Sequence, residues 1–165
     1  MRNESIDRLN GLLKDEVSAI ETYSEAQTRA RSERVREVLV LCQIQHQRRA
    51  QKLTERIAAL GGKPTYNGHP WGAVIKLIAA NVFGFDVKLA IGVLEEGEDV
   101  GLIFYKDALK KLDSESVKLI ETELLPGQAF TREIIHDLLG RLDGSSALNS
   151  NSNSKLGKNV KRAQR

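Results

Sequence analysis

An all-α bundle of four long helices is what this sequence predicts, and three observations carry the prediction. Aromatic residues make up 5% of the 165 residues and proline occurs three times, while Leu, Ala, Glu, Lys and Arg abound, a helix-forming composition. Apolar residues recur at helical spacing along four long windows. Caps, glycines and turn residues punctuate the ends of those windows.

The first helix starts at the Asn3 cap and runs to about Ala30, with Leu9, Leu13, Ile20, Tyr23 and Gln27 on one line at about 100° per residue. The second begins after Ser32 and stops at Gly61-Gly62; its stripe is Val35, Leu39, Cys42, Leu53, Ile57 and Leu60. The third opens after Asp86 and runs to Leu112, with Val87, Ile91, Leu94, Tyr105, Leu109 and Leu112 in line. The fourth follows the turn Asp113 to Ser116 and ends near Asp143-Gly144, striped by Val117, Ile120, Leu124, Ile134 and Leu138. Short turns join the first helix to the second and the third to the fourth, which makes two antiparallel hairpins. Between the hairpins, the 24 residues from Lys63 to Asp86 hold "GHPW" and an amphipathic piece with Trp71, Val74, Ile75 and Ile78. They are expected to form a long crossover containing a short helix, with His69 and Trp71 capping the bundle. Running its length, the crossover would let the third helix start at the end where the first started.

Residues 1–144 read as one domain and 145–165 as a disordered basic tail. The tail carries Lys155, Lys158, Lys161, Arg162 and Arg165 and no acid, so the other 144 residues hold 20 basic and 22 acidic side chains. The +3 of the whole chain therefore belongs to its end. "SSALNSNSNS" offers too little apolar surface to order itself. Five cations without interleaved aromatics read as a solvated tail first, and only weakly as a contact for nucleic acid or an acidic partner. A lone cysteine, Cys42, and an opening without an apolar leader point to the cytoplasm. The longest mainly apolar stretch, Trp71 to Phe85, is 15 residues and too short to span a bilayer as a helix. A phosphate loop, a nucleophile elbow and a Cys-x-x-Cys pair are all missing, which removes the commonest catalytic motifs.

Polar residues interrupt the apolar stripes. Glu16 falls on the line of the first helix and Glu98 about 20° off that of the third; His46 and Arg49 interrupt the second, and Thr131 with Gln128 the fourth. An unpaired buried carboxylate costs several kcal/mol, so convergence is expected, either on a metal or in a hydrogen-bonded ion network. Arg49, a turn from His46, is expected to satisfy Glu16 bidentately, with Tyr23 and Tyr105 completing a buried polar network. The halves also echo each other. Tyr23 follows Glu16, and Tyr105 follows Glu98, by seven residues; Gln43-x-x-His46 is matched by Gln128-x-x-Thr131. Glu133-x-x-His136 has the spacing of a ligand pair but faces outward by phase, and in the cluster Glu95, Glu96 and Glu98 only Glu98 points inward.

Two stretches carry a family resemblance. "LNGLLKDEVSAIETY" resembles the first helix of ferritin-like proteins, bacterioferritin included. "EEGEDVGLIFYKDAL", with "GHPW", is similar to a small bacterial ferritin-like family of unassigned function related to rubrerythrins; the likeness spans residues 5 to 142. It implies a ferritin-like four-helix bundle. Active di-iron members present a Glu from each of two helices and a Glu-x-x-His from each of the others. By that resemblance Glu16, His46 and Glu98 match ligand positions, whereas Gln43, Gln128 and Thr131 stand where further ligands belong, and amides do not bridge two ferric ions as carboxylates do. The implication is a degenerate di-iron site in a structural or interaction protein, stress-related by analogy, with no catalytic residue. The other reading is an oxidoreductase or iron-handling protein acting with oxygen or peroxide, its iron, manganese or zinc held by Glu16, His46 and Glu98. Long helices and an apolar crossover suit a homo-oligomer, a dimer in the simplest case.

Overall fold

The computed structural model describes residues 2–67 and 87–162, following the backbone alone past Leu142 apart from Gly144. Every regular element among these residues is helical and none is a strand: α1 (Arg2–Arg29), α2 (Glu33–Ala59), α3 (Val87–Ala108) with a 3₁₀ turn Leu109–Lys111, α4 (Ser114–Leu119), and α5 (Leu125–Arg162). A π turn, Ile120–Leu124, joins α4 to α5 into one long stretch. No helix among the described residues is long and apolar enough to cross a membrane. The "GHPW" segment and the amphipathic piece of the crossover lie outside the described residues.

The ends follow from local chemistry. Gly61 closes α2 at φ +74°, with its N–H bonded to Ala58 O (2.8 Å) and that of Gly62 to Ile57 O (2.9 Å), a Schellman ending that a side chain would strain. Asp113 caps α4, accepting from Ser116 N at 3.1 Å, while the Arg56 guanidinium reaches across from α2. Burial would raise the Asp113 carboxyl, but Ser116 and Arg56 overcome it and hold the pKa down at about 2. Pro126 has no N–H to give a helix, and directly before it the Leu125 N–H reaches back to Ile120 O. That π step takes up one residue. Past it the inward line runs Gln128, Thr131, Ile135, Leu138, so Ile135 is fully buried rather than Ile134.

Pairs across the helices give the topology. Gln27–Gln43 and Glu16–His46 set α1 and α2 antiparallel; Glu95–His136 and Glu98–Gln128 do the same for α3 and α5. Tyr23–Glu98, Tyr105–Glu16 and Arg8–Asp107 also run α1 and α3 in opposite senses. So α3 begins at the end where α1 finishes, the reverse of the sequence expectation. α2 has already returned to the start of α1, where Arg2 Nε donates to Leu60 O at 2.6 Å, so the two hairpins are entered from opposite ends. The last helix differs as well, for its backbone stays helical to Arg162, beyond the boundary expected at Gly144.

Two apolar cores result. One packs Tyr23, Ala26, Leu39, Cys42, Ile91, Leu94 and Ile135; the other packs Leu9, Leu13, Leu53, Ile57, Ile120 and Leu124. In every long helix the residues between those sets are polar and buried: Glu16, His46 with Arg49, Glu98, and Gln128 with Thr131.

Candidate functional site: a buried polar layer

The four helices bring these residues into one connected cluster. Glu16 Oε1 accepts from Arg49 Nε at 2.8 Å and from the Tyr105 hydroxyl at 2.6 Å, and Glu16 Oε2 lies 2.7 Å from His46 Nδ1. The other ring nitrogen, His46 Nε2, lies 3.0 Å from Glu98 Oε1, which also accepts from the Tyr23 hydroxyl at 2.5 Å. Glu98 Oε2 takes Gln128 Nε2 at 2.7 Å and Thr131 Oγ1 at 2.8 Å. His46 thus spans the two carboxylates. The repeat in the sequence becomes a crossed pairing: each tyrosine donates to the glutamate of the other half.

Electrostatics agrees with the geometry. Burial alone would raise the Glu16 pKa, yet the Arg49 and His46 charges and hydrogen bonds outweigh it and bring it down to about 2. Burial pulls the His46 ring the other way, and Glu16 and Glu98 overcome that pull, so its pKa is raised. Protonated, the ring donates from Nδ1 to Glu16 and from Nε2 to Glu98, and two carboxylates balance an imidazolium and a guanidinium. Neutral, its Nδ1 can instead accept from Arg49 Nη2, 2.7 Å away. Both tyrosines are pushed well above their usual pKa, first by burial and then by the carboxylate each faces, so they stay donors. Cys42, buried beside this layer, is raised to about 12 by burial and Glu98, and its thiol stays protonated.

The remaining residues singled out in the sequence divide. Gln128 and Thr131 belong to the layer. Gln43 does not: half-buried, it bonds to the Gln27 side chain at 2.9 Å and to Ile20 O at 3.1 Å. Arg49 uses only Nε on Glu16 and turns Nη2 to His46, so the expected bidentate pairing gives way to a bridge. Glu133 and Glu96 are exposed, and His136 pairs with Glu95 at 2.5 Å on the outer surface. Two contributors escaped the sequence reading. Asp15, half-buried beside Glu16, is raised to about 6 by burial and by that neighbour's charge. Gly101 makes room: a Cβ there would lie 2.5 Å from Gln128 Nε2. Only the missing side chain hinted at it.

Gly101→Ala is therefore expected to push Gln128 off Glu98 and to cost about 1–3 kcal/mol. Urea unfolding should show a lower midpoint at unchanged m-value. Adding Gln128→Ala to that variant should then cost little more; a full additive loss would mean that Gln128 had kept its bond.

The arrangement sets limits on chemistry. The cavity bordering Glu16, His46 and Glu98 is about 20 Å³, room for a single water and not for an organic substrate. A metal ion would need lone pairs on the imidazole and carboxylates that hydrogen-bond donors already engage, and it would approach beside a guanidinium. Among the described residues no group of three or more His, Cys, Asp or Glu side chains is arranged to hold a metal ion. The donor set as arranged does not fit one.

Fold and layer together define an all-helical protein with a closed ion network at its centre. The chain belongs to the family described as a domain of unknown function (DUF2383), whose model matches residues 4–111. The match covers Glu16, His46, Arg49 and Glu98 and stops before Gln128 and Thr131. No curated protein and no solved structure matches the chain.

Proposed function

We propose that this protein is a structural or interaction protein built as a ferritin-like four-helix bundle, in which an ion network stands where di-iron relatives carry metal. The observation that carries the reading is His46, with one carboxylate at each ring nitrogen. A ring so held cannot offer a lone pair without breaking the network. The network's role is to keep two hairpins in register, because an out-of-register partner would leave buried charges unpaired. Exposed Leu89, Ile103 and Phe104 on α3 suit self-association, with a cytoplasmic homodimer as the expected form. The resemblance to ferritin-like proteins adds a stress-related setting.

The test is elemental analysis of protein purified without chelator, before and after loading with ferrous iron. The reading expects substoichiometric metal and an unchanged melting temperature. Stoichiometric iron that disappears in Glu16→Ala would overturn it in favour of an iron-handling oxidoreductase held by Glu16, His46 and Glu98.

A further inference from the structure

Arg49 has one donor left over. Its Nε donates to Glu16 and its Nη2 lies 2.7 Å from His46 Nδ1, while Nη1 is buried and has no partner among the described residues. A buried cationic donor without an acceptor is costly, on the order of 1–3 kcal/mol or more. This Nη1 lies against Gly127, where an ideal Cβ would stand 3.6 Å from it. Arg49 and Gly127 form part of the wall of a cleft of about 340 Å³ between α2 and α5. The same cleft is lined by Arg48, an exposed cation with no ion pair among the described residues, and by Lys52. Its two acids are already engaged: Glu123 by Lys52, and Glu55 by Gln51 at 2.9 Å. With Lys52 paired to Glu123 and the Arg49 charge met by Glu16, Arg48 is the lining cation without a carboxylate of its own among the described residues.

We propose that this cleft binds a small oxyanion, a phosphate or carboxylate group, which accepts from Arg49 Nη1 at its floor and is held by Arg48 and Lys52 at its rim. Hydrogen bonds from a guanidinium to an oxyanion are among the stronger ones, and the low dielectric around a buried donor strengthens them further. Gly127 matters because it is the neighbour on that side, and a Cβ there, 3.6 Å from Nη1, would crowd an incoming oxygen. The inference is separate from the structural reading of the polar layer, since it concerns the one Arg49 nitrogen the layer leaves over.

The experiment is a titration of the full chain with inorganic phosphate at constant ionic strength, chloride making up the balance, with acetate in a parallel arm. The signals followed are the Arg49 guanidinium and the Gly127 amide by nitrogen-resolved NMR. A saturable shift with phosphate, acetate or both is expected, and the arm that saturates tells the phosphate class from the carboxylate class. Arg48→Gln should weaken binding roughly tenfold, the worth of one charge-assisted hydrogen bond. Gly127→Ala, whose methyl would stand at ordinary contact distance from Nη1, should weaken it as well. Arg48 is exposed, so its variant keeps the test valid should Gly127→Ala fold poorly. Shifts that stay linear in both anions, or an affinity unchanged in Arg48→Gln, would overturn the proposal.

Discussion

Glu16→Ala is expected to destabilise the protein by about 3–5 kcal/mol, because it leaves a guanidinium, an imidazole and a tyrosine hydroxyl buried without their acceptor. For a chain of this size that is a fall of roughly 10 °C in melting temperature. The loss comes from orphaned partners more than from any net worth of the ion pair, since desolvating two charges offsets most of their attraction. Removing Arg49 as well should therefore recover stability: Glu16→Met with Arg49→Met is expected to be clearly more stable than Glu16→Ala, though His46 and Tyr105 still lack an acceptor. Thermal and urea unfolding of the three proteins would check this. A loss below about 1 kcal/mol in Glu16→Ala would mean that the carboxylate is solvated, and the account of the layer would fail.

What could be read in the sequence was rotational phase. A polar residue on an apolar stripe at about 100° per residue is visible without coordinates, and it located Glu16, His46, Glu98 and Thr131 because straight helices keep their phase. Partner choice was not visible, because it depends on how four helices sit against each other. The repeat Glu-x₆-Tyr is plain in the chain, yet that each tyrosine serves the opposite glutamate follows only from the antiparallel arrangement of α1 and α3. Gln43 and Gln128 look equivalent, but Gln128 has Gly101 to make room and reaches Glu98, whereas Gln27 and the Ile20 carbonyl capture Gln43. The π turn before Pro126 shifts the register by one residue, and no stripe drawn at constant pitch anticipates that.

The second large effect is in acid. Glu16 has an ordinary pKa of 4.5 and a folded value of about 2, so on acidification the unfolded chain takes up its proton first. The stabilisation this carboxylate provides is complete above about 4.5 and is lost as the pH falls towards 2, a span worth about 3 kcal/mol. Asp15 works in the opposite sense: its folded value of about 6 exceeds the ordinary 3.8, so protonation between those limits relieves a penalty and stabilises the fold. His46, raised above 6.5, contributes fully below that value and loses its contribution as the pH rises through the folded pKa. Above about 4.5 Glu16 adds little more while the Asp15 penalty builds towards 6 and His46 is lost beyond 6.5, so the three together place maximum stability between about pH 4 and 5. Urea midpoints measured from pH 2 to 9 should trace that dome. Glu16→Gln should flatten its acid limb and reduce the gain from Asp15, since burial still raises that carboxyl but the neighbouring charge is gone. An acid limb unchanged in Glu16→Gln would assign it to other carboxylates, Asp113 first among them, since Arg56 and Ser116 hold that group at about 2 too.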